Sequence, residues 1–271
     1  MQEKAGLADT LALMKDLRRR CEWDAAQTHE SLRPYLIEEA YEVDDAIRTA
    51  DDRALKEELG DLLLQVLFHS VVAEERGAFD FSDVAEGFLR KMKSRHPHLY
   101  EGGERQSWEG MKARKRNSIV DGLPADLPAL HRAFRLQDRA AGVGFDWPDA
   151  AGPAEKVEEE LAEVRAEVRS GAHAAGFGVP DPKLEEELGD LLFSVVNLCR
   201  KLGVHPSLAL DKANVKFAAR FQSVERLADE KGLDVRTVGL EKLDELWNEV
   251  KADGDRAATQ QRDERDVPET N

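Results

Sequence analysis

Residues 57–63 read Glu57-Glu58-Leu59-Gly60-Asp61-Leu62-Leu63, and residues 186–192, Glu186-Glu187-Leu188-Gly189-Asp190-Leu191-Leu192, repeat them letter for letter. Each copy follows a second acidic cluster, Glu38-Glu39-x-x-Glu42 or Glu159-Glu160-x-x-Glu163. In a helix, residues three apart lie about one turn apart on nearly the same face, so Glu39 pairs with Glu42 and Glu58 with Asp61. Two such helices side by side gather four carboxylates in a small volume. Their mutual repulsion and lost hydration are tolerable only if some are protonated or a multivalent cation lies between them. An all-oxygen donor set favours a hard ion, magnesium or manganese.

Acidic residues on a helix ordinarily mark a solvated face, because charged side chains are rarely buried. Here the acidic stripe runs among Leu55, Leu59, Leu62, Leu63, Val66, Leu67 and Phe68, and again among Leu184, Leu188, Leu191, Leu192, Phe193, Val195 and Val196. That setting predicts carboxylates inside a core. Gly60 and Gly189 each cost roughly 1 kcal/mol against alanine in a helix interior, which predicts close approach of another helix. Carboxylate di-iron bundles use a Glu-x-x-His pair, and neither cluster contains histidine, which argues against iron oxygen chemistry.

At 271 residues the chain can form two ordinary domains, and the internal repeat points to two modules. The net charge of −16, with 35% charged residues, disfavours a nucleic-acid duplex as partner, since a duplex-binding surface must be positive. The two cysteines, Cys21 and Cys199, have no partnered zinc spacing and fit a reduced, cytoplasmic setting. The sequence shows no signal peptide and no apolar run of membrane-spanning length, so no membrane partner is expected.

Apolar recurrence at three and four predicts helices over 7–19, 35–48, 53–76, 81–95, 154–170, 182–202, 207–231 and 240–251, with no strand alternation. Asp181-Pro182 reads as a helix start, and Ser82 and Ser207 as candidate N-caps. The segment 96–129, rich in Gly and Pro, reads as an irregular connection around one short helix near 109–117. The expected fold is all-α: an N-terminal module over 1–121, a C-terminal module over 122–252, each with a four-helix-bundle-like core, and a disordered polar tail over 253–271.

Lys216 and Arg220 stand four apart on one predicted helix, and aligning the modules places Lys91 and Arg95 at the same positions. Such cations can hold phosphate oxygens beside a metal, although a pair of this kind can equally be a solvated face. Trp108 with Lys112 and Trp247 with Lys251 repeat a Trp-x-x-x-Lys pattern. Trp247 could stack on a nucleobase or serve as core. His96-Pro97-His98 reads as a turn, and Trp23, Asp24, Asp146 and Trp147 as anchors before each first acidic helix. No P-loop, GxSxG elbow or dinucleotide fingerprint is present.

The run Trp23-Asp24-x-x-Gln27-Thr28-His29-Glu30-Ser31-Leu32 into Leu36-Ile37-Glu38-Glu39-Ala40-Tyr41-Glu42-Val43, the two ELGDLL segments, Arg95-His96-Pro97-His98 and Val143-Gly144-Phe145-Asp146-Trp147-Pro148 resemble the MazG family of nucleoside triphosphate pyrophosphohydrolases. The likeness covers about residues 7 to 252. It implies an all-α homodimer and magnesium-dependent hydrolysis of NTPs and dNTPs to monophosphate and pyrophosphate, a nucleotide-pool house-cleaning reaction. It also implies metal ligation by Glu160, Glu163, Glu187 and Asp190, with Glu39, Glu42, Glu58 and Asp61 as counterparts. Lys183, Lys216, Arg220 and Trp247 are implied to contact nucleotide. Lys183 aligns with Ala54 and Asn214 with Leu89, so the C-terminal module is expected to be the catalyst. Glu159, beside the ligand helix pair but outside it, is the expected general base. Glu22 stands where the family usually has proline. A regulatory nucleotide- or partner-binding helical scaffold with little turnover is the alternative reading.

Overall fold

The structure is a computed structural model describing residues 5–100, 102, 117–170 and 181–265. Among these residues there are eleven helices and no strand, so the fold is all-α as expected. The chain divides into two compact units, Met1–Gln106 and Ser107–Asn271. The expected short helix at 109–117 and the Trp108/Lys112 pair lie, except for Asn117, outside the described residues.

In the first unit, α1 spans Leu7–Arg20, α2 Glu22–Ala26, α3 His29–Thr49, α4 Asp52–Glu75, α5 Phe81–Arg95 and α6 Pro97–Tyr100. Helix α3 begins well before the expected Tyr35, with Pro34 inside it. A reciprocal cap explains this start: Thr28 Oγ1 accepts from Ser31 N at 3.2 Å, and Ser31 Oγ accepts from Thr28 N at 2.9 Å. Helix α5 is capped by Asp80 rather than Ser82, through the same exchange with Asp83 at 2.9 and 3.0 Å. A left-handed residue, Ala50, turns α3 into α4, and the two helices pack along each other.

The core of this unit joins Met14 of α1, Leu32 of α3, and Leu67, Phe68, Val71 and Val72 of α4. Each such side chain contributes roughly 1.5–3 kcal/mol on burial. All the α4 residues of this cluster come from its C-terminal half. The N-terminal half, which carries Glu58 and Asp61, leaves Leu59 and Leu63 exposed within this chain, and Leu64 and Val66 just beyond it are exposed as well. The acidic stripe therefore borders an open apolar surface and is not enclosed by a core.

In the second unit, α7 spans Ala129–Gly142, α8 Ala151–Ser170, α9 Pro182–Lys201, α10 Pro206–Glu230 and α11 Leu240–Arg265. Helices α8 and α9 pack along each other, α7 packs on α9, and α10 packs chiefly on α11 through Val224, Ala228 and Leu246. Asp181 caps α9 by accepting from Lys183 N and Leu184 N at 2.9 and 3.3 Å, as its place before Pro182 predicts. Helix α10 starts earlier than Ser207 indicates, because Pro206 presets the first helical φ and His205 becomes the N-cap. Helix α11 continues to Arg265, through the first part of the segment whose composition predicts disorder.

Helix α7 is absent from the sequence expectation. Its fully buried residues are the polar Gln137 and Arg139, beside half-buried Leu130, Phe134 and Leu136. Arg139 Nη1 donates to the Ile119 and Asp121 carbonyls at 2.7 and 3.0 Å, tying the preceding turn to the helix.

Candidate metal and nucleotide site

Packing of α3 on α4 brings Glu39, Glu58 and Asp61 together, and packing of α8 on α9 brings Glu160, Glu163 and Glu187 together. Within each trio, carboxylate oxygens lie within 4.8 Å of one another. Glu42 joins the first cluster electrostatically. Desolvation, then the charges of Asp61 and Glu42, raises the Glu39 pKa above the ordinary carboxylate value, while a hydrogen bond with Gln65 works the other way. Desolvation followed by Glu42, Asp61 and Glu57 raises that of Glu58. The Glu163 pKa is raised by desolvation and then by Glu160 and Glu187. Like charges crowded at this spacing repel one another, and a cation between them would relieve the repulsion. Asp190 is not one of the second trio, but lines a cavity with Glu160.

The C-terminal cluster has a cation that sequence reasoning missed. Lys156 Nζ lies 2.5 Å from Glu160 Oε1 and 2.9 Å from Glu159 Oε1. Its own pKa is pushed up, first by the Glu160 hydrogen bond. The i,i+4 spacing to Glu160 is the signal that would have found it. Glu160 is only 4% exposed, so Lys156 compensates a buried charge. Glu159 is exposed and bonded to Lys156 rather than to the trio.

Lys183 pairs with Glu167 of α8, a contact that raises the lysine pKa, with Glu187 adding a smaller effect. Asn214 and Lys216 are exposed on α10. Arg220 lies over the Trp247 ring, 5.1 Å from its centroid, and Phe217 is 5.3 Å from the same ring. Trp247 also packs against the α10/α11 core. Among the described residues, Asn214, Lys216, Arg220 and Trp247 make no hydrogen bond, ion pair or ring contact with the carboxylates. Lys91 and Arg95 lie on the last turns of α5. Gly60 and Gly189 have open space where a Cβ would be, so the close helix approach expected there is not made within this chain.

The site is thus an acidic helix pair repeated in an all-α chain. The family model described as MazG nucleotide pyrophosphohydrolase domain matches residues 27–100 and 153–224. The chain belongs to the MazG family. It is 46% identical over 253 residues to the nucleoside triphosphate pyrophosphohydrolase/pyrophosphatase MazG of Thermotoga maritima, covering 90% of this chain and 94% of that relative. It is 42% identical over 250 residues to the nucleoside triphosphate pyrophosphohydrolase of Escherichia coli, covering 88% and 93%. No helix among the described residues is long and apolar enough to cross a membrane.

Proposed function

We propose that this protein is a Mg²⁺-dependent nucleoside triphosphate pyrophosphohydrolase that converts NTPs and dNTPs to monophosphate and pyrophosphate, with the C-terminal cluster as its catalytic site. The convergence of Glu160, Glu163 and Glu187 carries the reading. Their oxygens form a hard donor set, and their crowding leaves excess negative charge that a single Lys156 only partly offsets. Glu160, Glu163, Glu187 and Asp190 would hold Mg²⁺, or Mn²⁺ in its place. Glu39, Glu42, Glu58 and Asp61 would do so in the N-terminal module. A bound hard cation supplies polarisation of the phosphate oxygens and charge neutralisation.

The remaining work falls to the chain. Lys183, Lys216 and Arg220 neutralise charge on the departing pyrophosphate, and Asn214 adds a hydrogen bond to it. Trp247 supports Arg220 through its ring face and contributes to nucleotide contact. Glu159 takes the proton of water as its oxygen bonds to the α-phosphorus and the bond to the bridging oxygen breaks. Lys91 and Arg95 are the corresponding phosphate cations of the N-terminal half. The exposed apolar residues Leu59 and Leu63 of α4, Leu188 and Leu192 of α9, and the open Gly60 and Gly189 suit burial by a second copy in a homodimer. The physiological role is clearance of the cytoplasmic nucleotide pool.

Chromatography of the products tests the reaction: monophosphate with pyrophosphate is expected, and diphosphate with phosphate would contradict it. Lys216→Ala is expected to raise KM for all nucleoside triphosphates alike, with high salt mimicking part of the change by screening. Trp247→Ala should raise KM and also lower Tm, because the ring belongs to the α10/α11 core. A base-selective Lys216→Ala effect, or an unchanged KM in a folded Trp247→Ala protein, would remove these roles.

A further inference from the structure

Helix α8 carries one more acidic residue on its site face than the carboxylate trio uses. Glu160, Glu163 and Glu167 follow one another at i, i+3 and i+7, so all three share a face. Glu160 and Glu163 meet Glu187 across the helix pair. Glu167, one turn further on, pairs instead with Lys183 in the first turn of α9.

Asp181 accepts from Lys183 N at 2.9 Å, which anchors the lysine backbone at the helix start. Beyond the backbone, lysine is a flexible four-carbon stem, and this side chain is 63% exposed. The side chain of Glu167 is only 15% exposed, so the more buried partner sets where the ammonium lies. Glu167 is also the main cause of the raised Lys183 pKa, first by its hydrogen bond and then by its charge. Glu187, one turn along α9, adds a smaller pull in the same sense, so the ammonium is held within the field of the trio.

The internal repeat separates this pair from the packing of the helices. Counted from the matching acidic clusters, Glu167 corresponds to Ala46 and Lys183 to Ala54. Both members are therefore missing together from the N-terminal helix pair, where Ala46 is buried and α3 still packs along α4. An acidic helix pair does not need the bridge in order to form. An ion pair with so exposed a lysine also adds little to stability, because water screens it and a long side chain must be ordered. What it supplies is a lysine already ordered when a ligand arrives, which spares the binding step that loss of rotamer freedom.

We infer that Glu167 is a positioning residue of the C-terminal site, holding the Lys183 ammonium beside the carboxylate trio where it meets the pyrophosphate end of the substrate. The inference rests on the reading of Lys183 as a pyrophosphate cation given above. Glu167 touches neither substrate nor metal and acts through Lys183 alone. Without it the stem spreads the ammonium over many positions, among them the i+4 carboxylate of Glu187, and fewer of these suit a bound triphosphate.

The test is a double-mutant cycle of wild type, Glu167→Ala, Lys183→Ala and the double variant. Two quantities are read with Mg²⁺ present: Kd for α,β-methylene-ATP, which is not cut between the α and β phosphorus, and kcat/KM for ATP. Glu167→Ala is expected to raise Kd and lower kcat/KM by roughly three- to tenfold, with Tm nearly unchanged. In the Lys183→Ala background the same exchange should change neither. Glu167→Gln keeps an acceptor oxygen without the charge, so its loss should be intermediate. An equal loss with and without Lys183, or a loss that follows a fall in Tm, would make Glu167 a strut of the fold and overturn the inference. Tighter binding in Glu167→Ala would overturn it too, by showing that the glutamate competes with phosphate for the lysine. If Glu167→Ala is silent while Lys183→Ala is not, the positioning role falls and the phosphate reading of Lys183 stands; if Lys183→Ala is itself silent, both fall. A wild type that binds the analogue yet releases no pyrophosphate from ATP would sink the hydrolase reading, and the Kd cycle would still decide the role of Glu167.

Discussion

Glu187→Gln is expected to lower turnover by about two orders of magnitude or more, because it keeps the side-chain volume and removes one negative donor from the trio with Glu160 and Glu163. The same exchange at Glu58 should cost much less. Both residues sit in a carboxylate trio at corresponding positions of the repeated motif, so the difference is expected from the groups around them. The C-terminal site has Lys156 on Glu160 and Glu159, and Lys183 one turn before Glu187. In the N-terminal module Ala54 and Leu89 stand where Lys183 and Asn214 stand. Without those groups a bound cation has less help holding the triphosphate. The measurement is kcat for both variants over a range of Mg²⁺ concentrations. The opposite ranking would move the main active site to the N-terminal half.

Chelation is expected to abolish turnover, and Mg²⁺ or Mn²⁺ to restore it, since the donors are all carboxylate oxygen. The same metal should act on stability. Glu39, Glu58 and Glu163 have raised pKa values, so the folded, metal-free protein holds protons there more tightly than the unfolded chain. Their contribution is present below the ordinary Glu pKa and is lost as pH rises through the raised values. Asp146 and Glu75 act in the opposite sense, because Arg200 and Arg18 hold their pKa values down. Their contribution is present above the ordinary carboxylate pKa and is lost as pH falls. The difference between metal-free and Mg²⁺-loaded Tm isolates the clusters. It should be large at pH 8 and shrink as protons displace the cation near the ordinary Glu range. Glu163→Gln should narrow it. Full turnover in chelator, with one Tm at pH 8 whether or not Mg²⁺ is added, would contradict the carboxylate sites.

The all-α fold was legible because apolar spacing and acidic i,i+3 pairs share one period, and the duplicated ELGDLL segment marks two modules. Helix α7 was missed, and its two fully buried residues are polar, Gln137 and Arg139, with partners distant in sequence, Phe193 and Ile119. The start of α3 was hidden by Pro34, which reads as a breaker yet lies inside the helix, six residues after its Thr28 N-cap. Within the site, the acidic spacing identified residues that do come together. It could not show that Lys156 compensates Glu160, or that Lys183 reaches Glu167. Nor could it show the cavity beside the carboxylates, lined by residues of α7, α8 and α9.

Hydrolysis of ATP in ¹⁸O-labelled water, with both products weighed by mass spectrometry, tests the central claim most directly. Attack by water at the α-phosphorus predicts AMP carrying one ¹⁸O and unlabelled pyrophosphate, in wild type and in the residual activity of Glu58→Gln. ADP with labelled phosphate, or label in pyrophosphate, would contradict it.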